Sequence, residues 1–224
     1  MADFESDDEF VTSGDYLKGP GEYDGDRNEE GERHGNGKAT YSNGDKYTGQ
    51  FEKGKRSGAG TYHFKRARYF GDYKDGKRDG NGVMIYPDGS KYSGAWKNGL
   101  KNGKGTYTFV NGDEFDGEWQ NDLKHGRGRY CYKETGTEFL AKWVEGQQVG
   151  TARWVHKDHE YEGHFKEGSP CGRGKYSFRT GCELQGYYVI KDIVRQVDKR
   201  MELVGREPIW HAQLLSHSMA SKEV

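Results

Sequence analysis

The chain has 224 residues, of which 31% are hydrophobic and 32% charged, against about 45–50% apolar in an ordinary soluble domain, so a thick aliphatic core is excluded. Glycine (35 residues) and aromatics (16 Tyr, 10 Phe, 5 Trp) are nonetheless too abundant for a disordered chain of this polarity, and a regular architecture must use the two together. The net charge of −1 hides an acidic start and a basic body: residues 1–33 hold twelve acids and three bases, residues 34–224 eight more bases than acids, a balance that favours anionic surfaces (phospholipid headgroups, nucleic acid, acidic protein tails) without choosing among them.

Residues 1–21 read as an acidic, disordered leader containing Asp7, Asp8 and Glu9. They lack the basic start and apolar run of a secretory signal. No stretch approaches the 18 apolar residues of a membrane helix, and no Asn-x-Ser/Thr acceptor occurs. Three cysteines, Cys131, Cys171 and Cys182, suit free thiols in a reducing compartment better than a disulfide framework. The expectation is a soluble intracellular protein.

From residue 22 to 188 one template recurs, YxGxW followed by a glycine three further on and then GxGxYxF. Its cleanest copy is Tyr92, Gly94, Trp96, Gly99, Gly103, Gly105, Tyr107 and Phe109. Copies begin at Tyr23, Tyr47, Tyr69, Tyr92, Phe115, Phe139 and Tyr161, at intervals of 22 to 24 residues, and a truncated eighth opens at Leu184 with Gly186 and Tyr188. Within a copy the informative positions alternate with period two, which places them on one face of a strand. One face is then aromatic and glycine, the other polar. Glycine recurring inside a strand implies close approach of a neighbouring group, here an aromatic ring from the adjacent strand. On this basis the repeat core is assigned to Tyr47, Gly49, Phe51, Tyr69, Gly71, Tyr73, Tyr92, Gly94, Trp96, Gly103, Gly105, Tyr107, Phe115, Gly117, Trp119, Trp143, Tyr161, Gly163 and Phe165.

Asn43-Gly44, Asp88-Gly89 and Asn111-Gly112 read as two-residue type I′ turns joining consecutive copies, with a connection of about six residues inside each copy. The fold class predicted is all-β: an elongated, single-layer antiparallel solenoid of seven hairpin repeats plus a partial eighth. About fifteen strands at ~4.8 Å give a length on the order of 70 Å.

Residues that suggest chemistry do not form a site. Gly103-Lys104-Gly105-Thr106 lacks the phosphate-loop spacing and recurs as repeat glycine. His156, His159, Cys171 and Cys182 lack a zinc-binding spacing. No unrepeated nucleophile, base or carboxylate pair stands apart from the template. No catalytic, cofactor-binding or metal-ligating residue is assigned, and a non-enzymatic scaffold is expected. Nucleic-acid binding is not expected, because the aromatics are consumed by packing between repeats.

Two copies depart from the template. Repeat six carries Ala141 and Ala152 for glycine and closes through Val155-His156-Lys157-Asp158; repeat two closes through Lys65-Arg66-Ala67-Arg68, one residue short. Each fits structural slack or a docking site. In residues 189–224, Ile190, Ile193, Val194, Val197 and Met201 fall at helical spacing, which predicts a short C-terminal helix ended by Pro208. It reads either as a cap for the terminal edge or as a partner-binding element, with Ile193, Val197, Met201 and Trp210 as the candidate residues.

The template resembles the MORN (membrane occupation and recognition nexus) repeat family over residues 23–188. The family occurs in junctophilins, plant phosphoinositide kinases, a lysine methyltransferase and apicomplexan cytoskeletal proteins, so the repeat alone does not fix function. The departures from consensus resemble those of one branch, the radial spoke head component 1 homologues of motile cilia. They are Glu22-Tyr23-Asp24-Gly25, Arg27-Asn28-Glu29, Gly31-Glu32-Arg33-His34-Gly35, Glu134-Thr135-Gly136, Gly146-Gln147-Gln148, Gly150-Thr151-Ala152 and Gly181-Cys182-Glu183. That resemblance implies a structural subunit of the axonemal radial spoke head in a cilium or flagellum. Its partners would be other spoke-head subunits, with contact to central-pair projections. The alternative is a peripheral phospholipid-binding, membrane-tethering module.

Overall fold

The computed structural model describes residues 21–166, 168–197 and 200–217, and all regular structure among them is β. The acidic leader, apart from Gly21, lies outside the described residues. Two compact units divide the chain, one up to Leu123 and one from Lys124. The first contains β1 (Tyr23–Arg27), β2 (Arg33–Thr40), β3 (Lys46–Glu52), β4 (Lys55–His63), β5 (Arg68–Lys74), β6 (Lys77–Ile85), β7 (Lys91–Lys97), β8 (Leu100–Thr108) and β9 (Glu114–Gln120). The second is built from β10 (Leu123–Cys131), β11 (Glu138–Val144), β12 (Gln147–Val155), β13 (His159–Lys166), β14 (Ser169–Phe178), β15 (Cys182–Val197) and β16 (Arg200–His217). Within each unit the strands pair antiparallel with their sequence neighbours, β1 to β9 in the first and β10 to β16 in the second, which is the architecture a tandem array of hairpins produces.

Which turn is tight differs from the sequence reading. The two-residue turns lie inside a copy, at Lys53-Gly54, Asp75-Gly76, Asn98-Gly99 and Asn121-Asp122, and both residues of each have positive φ, as type I′ geometry requires. The Asn-Gly and Asp-Gly pairs between copies sit in five-residue loops. In Tyr41–Asp45, Gly44 N donates to Tyr41 O and Tyr41 N to Asp45 O. Asn43 Oδ1 accepts Asp45 N at 3.0 Å. Only the glycine of that pair takes a positive φ (88° at Gly44). The side chain of Asn43 thus substitutes for a backbone group in a turn that needs left-handed geometry once, not twice. Phe109, expected on a strand, belongs to the equivalent loop after β8, where its amide donates to Asp113 O.

The two glycines of GxG do different things. The second lies on a register line running unbroken from Gly25 on β1 to Gly117 on β9, through Gly49, Gly71, Gly94 and Gly105. A Cβ on Gly105 would stand 2.5 Å from Cζ of Tyr92, and one on Gly94 only 2.4 Å from the Cα of Gly105. These positions carry an aromatic ring laid across the backbone of the next strand. The first glycine has another role: Gly103 sits beside the register shift between Gly94 and Trp96 with φ 103°, and a Cβ there would meet only Ala95 Cβ, at 3.0 Å. It marks a bulge and seats no ring, a correction to the uniform role expected of the repeat glycines.

Repeat six shows what filling the glycine line does. Gly128 pairs with Ala141 and Ala152 with Gly163. Both alanines are buried. Phe139 and Trp143 are separated by 6.4 Å between ring centroids, against 5.1 Å for Tyr92 and Trp96.

The C-terminal helix is not found. Residues 182–197 and 200–217 pair along their length as β15 and β16, and the expected domain boundary at 188 falls inside β15. Helical spacing was outweighed by composition, since Val189, Ile190, Ile193, Val194 and Val197 are all β-branched and favour strand over helix. Long-range pairing supplies the rest: Tyr188 faces Trp210, and the Trp210 ring lies across Gly186, where a Cβ would stand 2.6 Å from its Cζ2. The hairpin continues the ring-over-glycine arrangement with the ring donated from the other strand.

Replacing Gly105 with Ala forces the Tyr92 ring off its seat and is expected to lower unfolding free energy by about 2–3 kcal/mol in urea titration. Gly99→Ala, at a turn with φ 94° and nothing within 4 Å of the added Cβ, is expected to cost about 1 kcal/mol.

Candidate docking surfaces

In the first unit the rings form a continuous zigzag: Tyr23, Phe51, Tyr47, Tyr73, Tyr69, Trp96, Tyr92, Trp119, Phe115. Successive centroids are 5.0–5.5 Å apart and successive planes cross at 82–90°. Edge-to-face pairs of this kind each contribute about 0.5–1.5 kcal/mol beyond area burial. Tyr47, Tyr69, Tyr92 and Phe115 are fully buried, and Phe51, Tyr73, Trp96, Tyr107 and Trp119 nearly so. The hydroxyls of Tyr47, Tyr69 and Tyr92 donate to the carbonyls of Gln50, Asp72 and Ala95, and the indoles of Trp96 and Trp119 to those of Gly82 and Gly105. In the second unit Phe139, Phe165, Tyr161 and Tyr188 continue edge-to-face. There Trp143, Tyr161 and Phe165 are buried, and burial pushes the Tyr161 phenol up to about 12.

Sequence reasoning missed a set of cations. Arg33, Arg56, Arg78, Lys101 and Lys124 each stand two residues before the first glycine of GxG, and that recurring position was the signal available. Arg78 lies 4.3 Å over the Trp96 ring, Arg56 4.8 Å over Tyr62, Lys101 5.0 Å over Trp119 and Lys124 4.8 Å over Trp143. Each also grips the turn of the next hairpin: Gly54, Gly76, Gly99 and Gly146 donate their amides to the carbonyls of Arg33, Arg56, Arg78 and Lys124, and Asp122 does so to Lys101. In return the guanidinium groups of Arg56 and Arg78 donate to Gly76 O and Gly99 O, at 2.9 and 2.5 Å. At the equivalent positions of the last two complete copies stand Gln148 and Pro170.

The polar face differs between units. In the second unit Arg129 pairs across strands with Glu138 and Lys175 with Glu183, both at 2.9 Å, and Arg153 with Glu160, while Arg127 stands opposite Lys142; in the first, Lys55 pairs with Asp75 at 3.5 Å. In the first, Lys46, His63, Arg68, Ile85 and Lys91 share one register line, and Phe70 and Val83 pair on the adjacent line. Phe70 and Ile85 are 39% and 38% exposed.

Of the candidate partner-binding residues, Ile193 is 40% exposed beside exposed Val189 and Ile190. Val197 is opposite Arg200 and Met201 opposite Gln196, so the expected helical stripe is dispersed over the register of a hairpin. Trp210 packs at 5.1 Å from both Tyr176 and Tyr188, within the ring stack. His156 and His159 stack at 4.5 Å, and no three His, Cys, Asp or Glu side chains converge on a metal-sized site among the described residues.

Burial lowers the Lys124 ammonium from the ordinary 10.5 to about 8. Between those values the unfolded chain binds more protons than the folded one, so stability rises with pH there. The buried phenols of Tyr47, Tyr69 and Tyr92, raised by desolvation, act in the opposite direction only above the ordinary tyrosine value of 10. Denaturant titration is expected to show a gain of about 2 kcal/mol between about pH 7.5 and about pH 9.5, absent in Lys124→Met.

The sequence pattern of the MORN repeat matches residues 29–46, 47–66, 69–91, 92–114, 115–136 and 161–183; the stretch it passes over contains Ala141 and Ala152. The chain is 50% identical over 195 residues to Radial spoke head 1 homolog of Mus musculus, across 86% of this chain and 65% of that protein. It is 51% identical over 169 residues to Radial spoke head 1 homolog of Cyprinus carpio, across 75% of this chain and 78% of that one. The chain thus spans just under two thirds of the mouse relative's length. With the glycine line, the ring zigzag and these identities together, the chain belongs to the MORN-repeat family and, within it, to the radial spoke head 1 homologues.

Proposed function

We propose that the chain is a non-enzymatic structural component of the radial spoke head. It acts in the axoneme of a cilium or flagellum by docking other spoke-head subunits, with the central-pair projections as a further contact. The observation that carries this reading is the 50% identity with a protein named for the spoke head, spread over most of the chain. The fold is compatible with it. The ring face is consumed internally, and the opposite face offers rows of polar side chains at repeating intervals, suited to binding extended protein surfaces. The docking residues are assigned to this polar face, the loops between copies, and the exposed apolar side chains of β15.

A second reading, a peripheral module for anionic phospholipid, is favoured by the cationic line of the first unit, which could meet headgroup phosphates.

Fractionation of isolated cilia separates the two. The spoke-head reading expects the protein to stay with the axoneme through detergent and to leave with spoke subunits on salt extraction. Release with membrane or matrix contradicts it. Salt-sensitive flotation with anionic vesicles at physiological ionic strength supports the lipid reading.

A further inference from the structure

Lys46, Arg68 and Lys91 are exposed on one register line of the first unit. Lys65 and Arg66, in the loop between β4 and β5, are exposed as well. None of these five cations has a carboxylate at ion-pair distance among the described residues. Two loop acids at this end of the sheet are engaged elsewhere, and Glu114, on the same register line beyond Thr108, accepts from Thr108 Oγ1 at 3.4 Å. Asp45 is buried and accepts from Tyr62 and Asn43, and Asp88 accepts from both the amide and the hydroxyl of Ser90. Against this line lies the exposed apolar pair Phe70 and Ile85 with half-buried Val83. On the corresponding face of the second unit cross-strand ion pairs engage Arg129, Arg153 and Lys175, while exposed Arg127 stands opposite exposed Lys142. A cationic line beside a small apolar patch fits an acidic segment that carries aromatic anchors.

Such a segment is present in the chain. Residues 1–20 contain Asp3, Glu5, Asp7, Asp8, Glu9 and Asp15 against Lys18, interspersed with Phe4, Phe10 and Tyr16. The described chain that follows them begins beside the cationic line: Glu22 O accepts the amide of Thr40 at 2.8 Å, and Thr40 pairs with Lys46, the first cation of that line. The span required is short. From β1 to β6 is five strand spacings, roughly 24 Å, and the eleven residues from Phe10 to Gly21 reach roughly 36–40 Å when extended.

We propose that the acidic leader docks across this line of its own sheet, carboxylates on Lys46, Arg68 and Lys91 and an aromatic anchor on Phe70 and Ile85. The attachment is reversible, electrostatic in reach and apolar at its centre. A spoke-head subunit or a membrane binding at the same place must displace the leader, so occupancy of the surface is regulated from within the chain.

The test uses the full chain with Phe10 replaced by the photo-crosslinker p-benzoylphenylalanine, irradiated at about 0.05 M and about 0.5 M salt, with adducts mapped by mass spectrometry. Crosslinks within one chain to residues 68–85, diminished at the higher salt and lost in the Arg68→Glu, Lys91→Glu double variant, support the proposal. Crosslinks confined to other strands, or yields unchanged by the double substitution in a variant whose circular dichroism is native, overturn it. A crosslinked dimer in place of the internal adduct assigns the surface to a second copy and also overturns it. So does flotation with phosphatidylserine vesicles that the double variant abolishes while no internal crosslink forms. These readouts are independent of whether the chain resides in spoke heads.

Discussion

A tyrosine ring laid over the glycine of the next strand, with the edge of one ring meeting the face of the next, is the contact on which the rest of this structure depends. A single-layer sheet has no second layer to bury its apolar face against. Here that face is covered by its own rings, which can lie flat only because the backbone beneath them lacks Cβ atoms. The glycine line therefore limits which residues each strand can carry at that position. Repeat six, with alanine on the line, retains the fold with its rings further apart.

The cations add directionality. An arginine or lysine from one hairpin lies among the rings, while its backbone carbonyl, and for Arg56 and Arg78 its guanidinium too, holds the turn of the following hairpin. Neighbouring repeats are thus joined at the ring stack, along the strand ladder and at the turn. Burial of these cations has a desolvation cost, evident in the lowered Lys124 and Arg78 values. The ring faces and turn carbonyls offset that cost locally. Since apolar packing is confined to one face, the other is released from any structural duty. Its charge pattern then varies from strand to strand, with ion pairs at Lys55–Asp75, Arg129–Glu138, Arg153–Glu160 and Lys175–Glu183 and none at Lys46, Arg68 or Lys91 among the described residues.

Period-two alternation and the glycine offsets made the strands and the aromatic face legible in the sequence, because side-chain direction in a strand follows directly from parity. Turn type was less legible. Asn43-Gly44 and Asn98-Gly99 are the same dipeptide, yet they close loops of different length, and the difference lies in the hydrogen bonds Asn43 makes to Asp45. The C-terminal hairpin was misread as helix because Ile190, Ile193, Val194 and Val197 satisfy a helical stripe, whereas the partner that makes them a strand lies in 200–217. The cation at Arg56, Arg78 and Lys101 was visible as a recurring position. Its role was not, since position alone does not distinguish a solvated lysine from one lying on an indole. For the docking surface, sequence showed a basic body and an acidic leader, and only the strand register aligns Lys46, Arg68 and Lys91.

Amide hydrogen exchange is the most direct test of whether ring stack and cation lock act as one system. The turn amides of Gly54, Gly76, Gly99 and Asp122 lie between strands, where hairpin turns ordinarily exchange fast, yet each is bonded to the cation-bearing residue of the preceding hairpin. Protection of these four amides comparable to that of the strand amides at Thr61, Val83 and Thr106 is the expected result. Turn amides that exchange freely while the strands stay protected would show that the hairpins are joined by the sheet ladder alone, and would contradict the account.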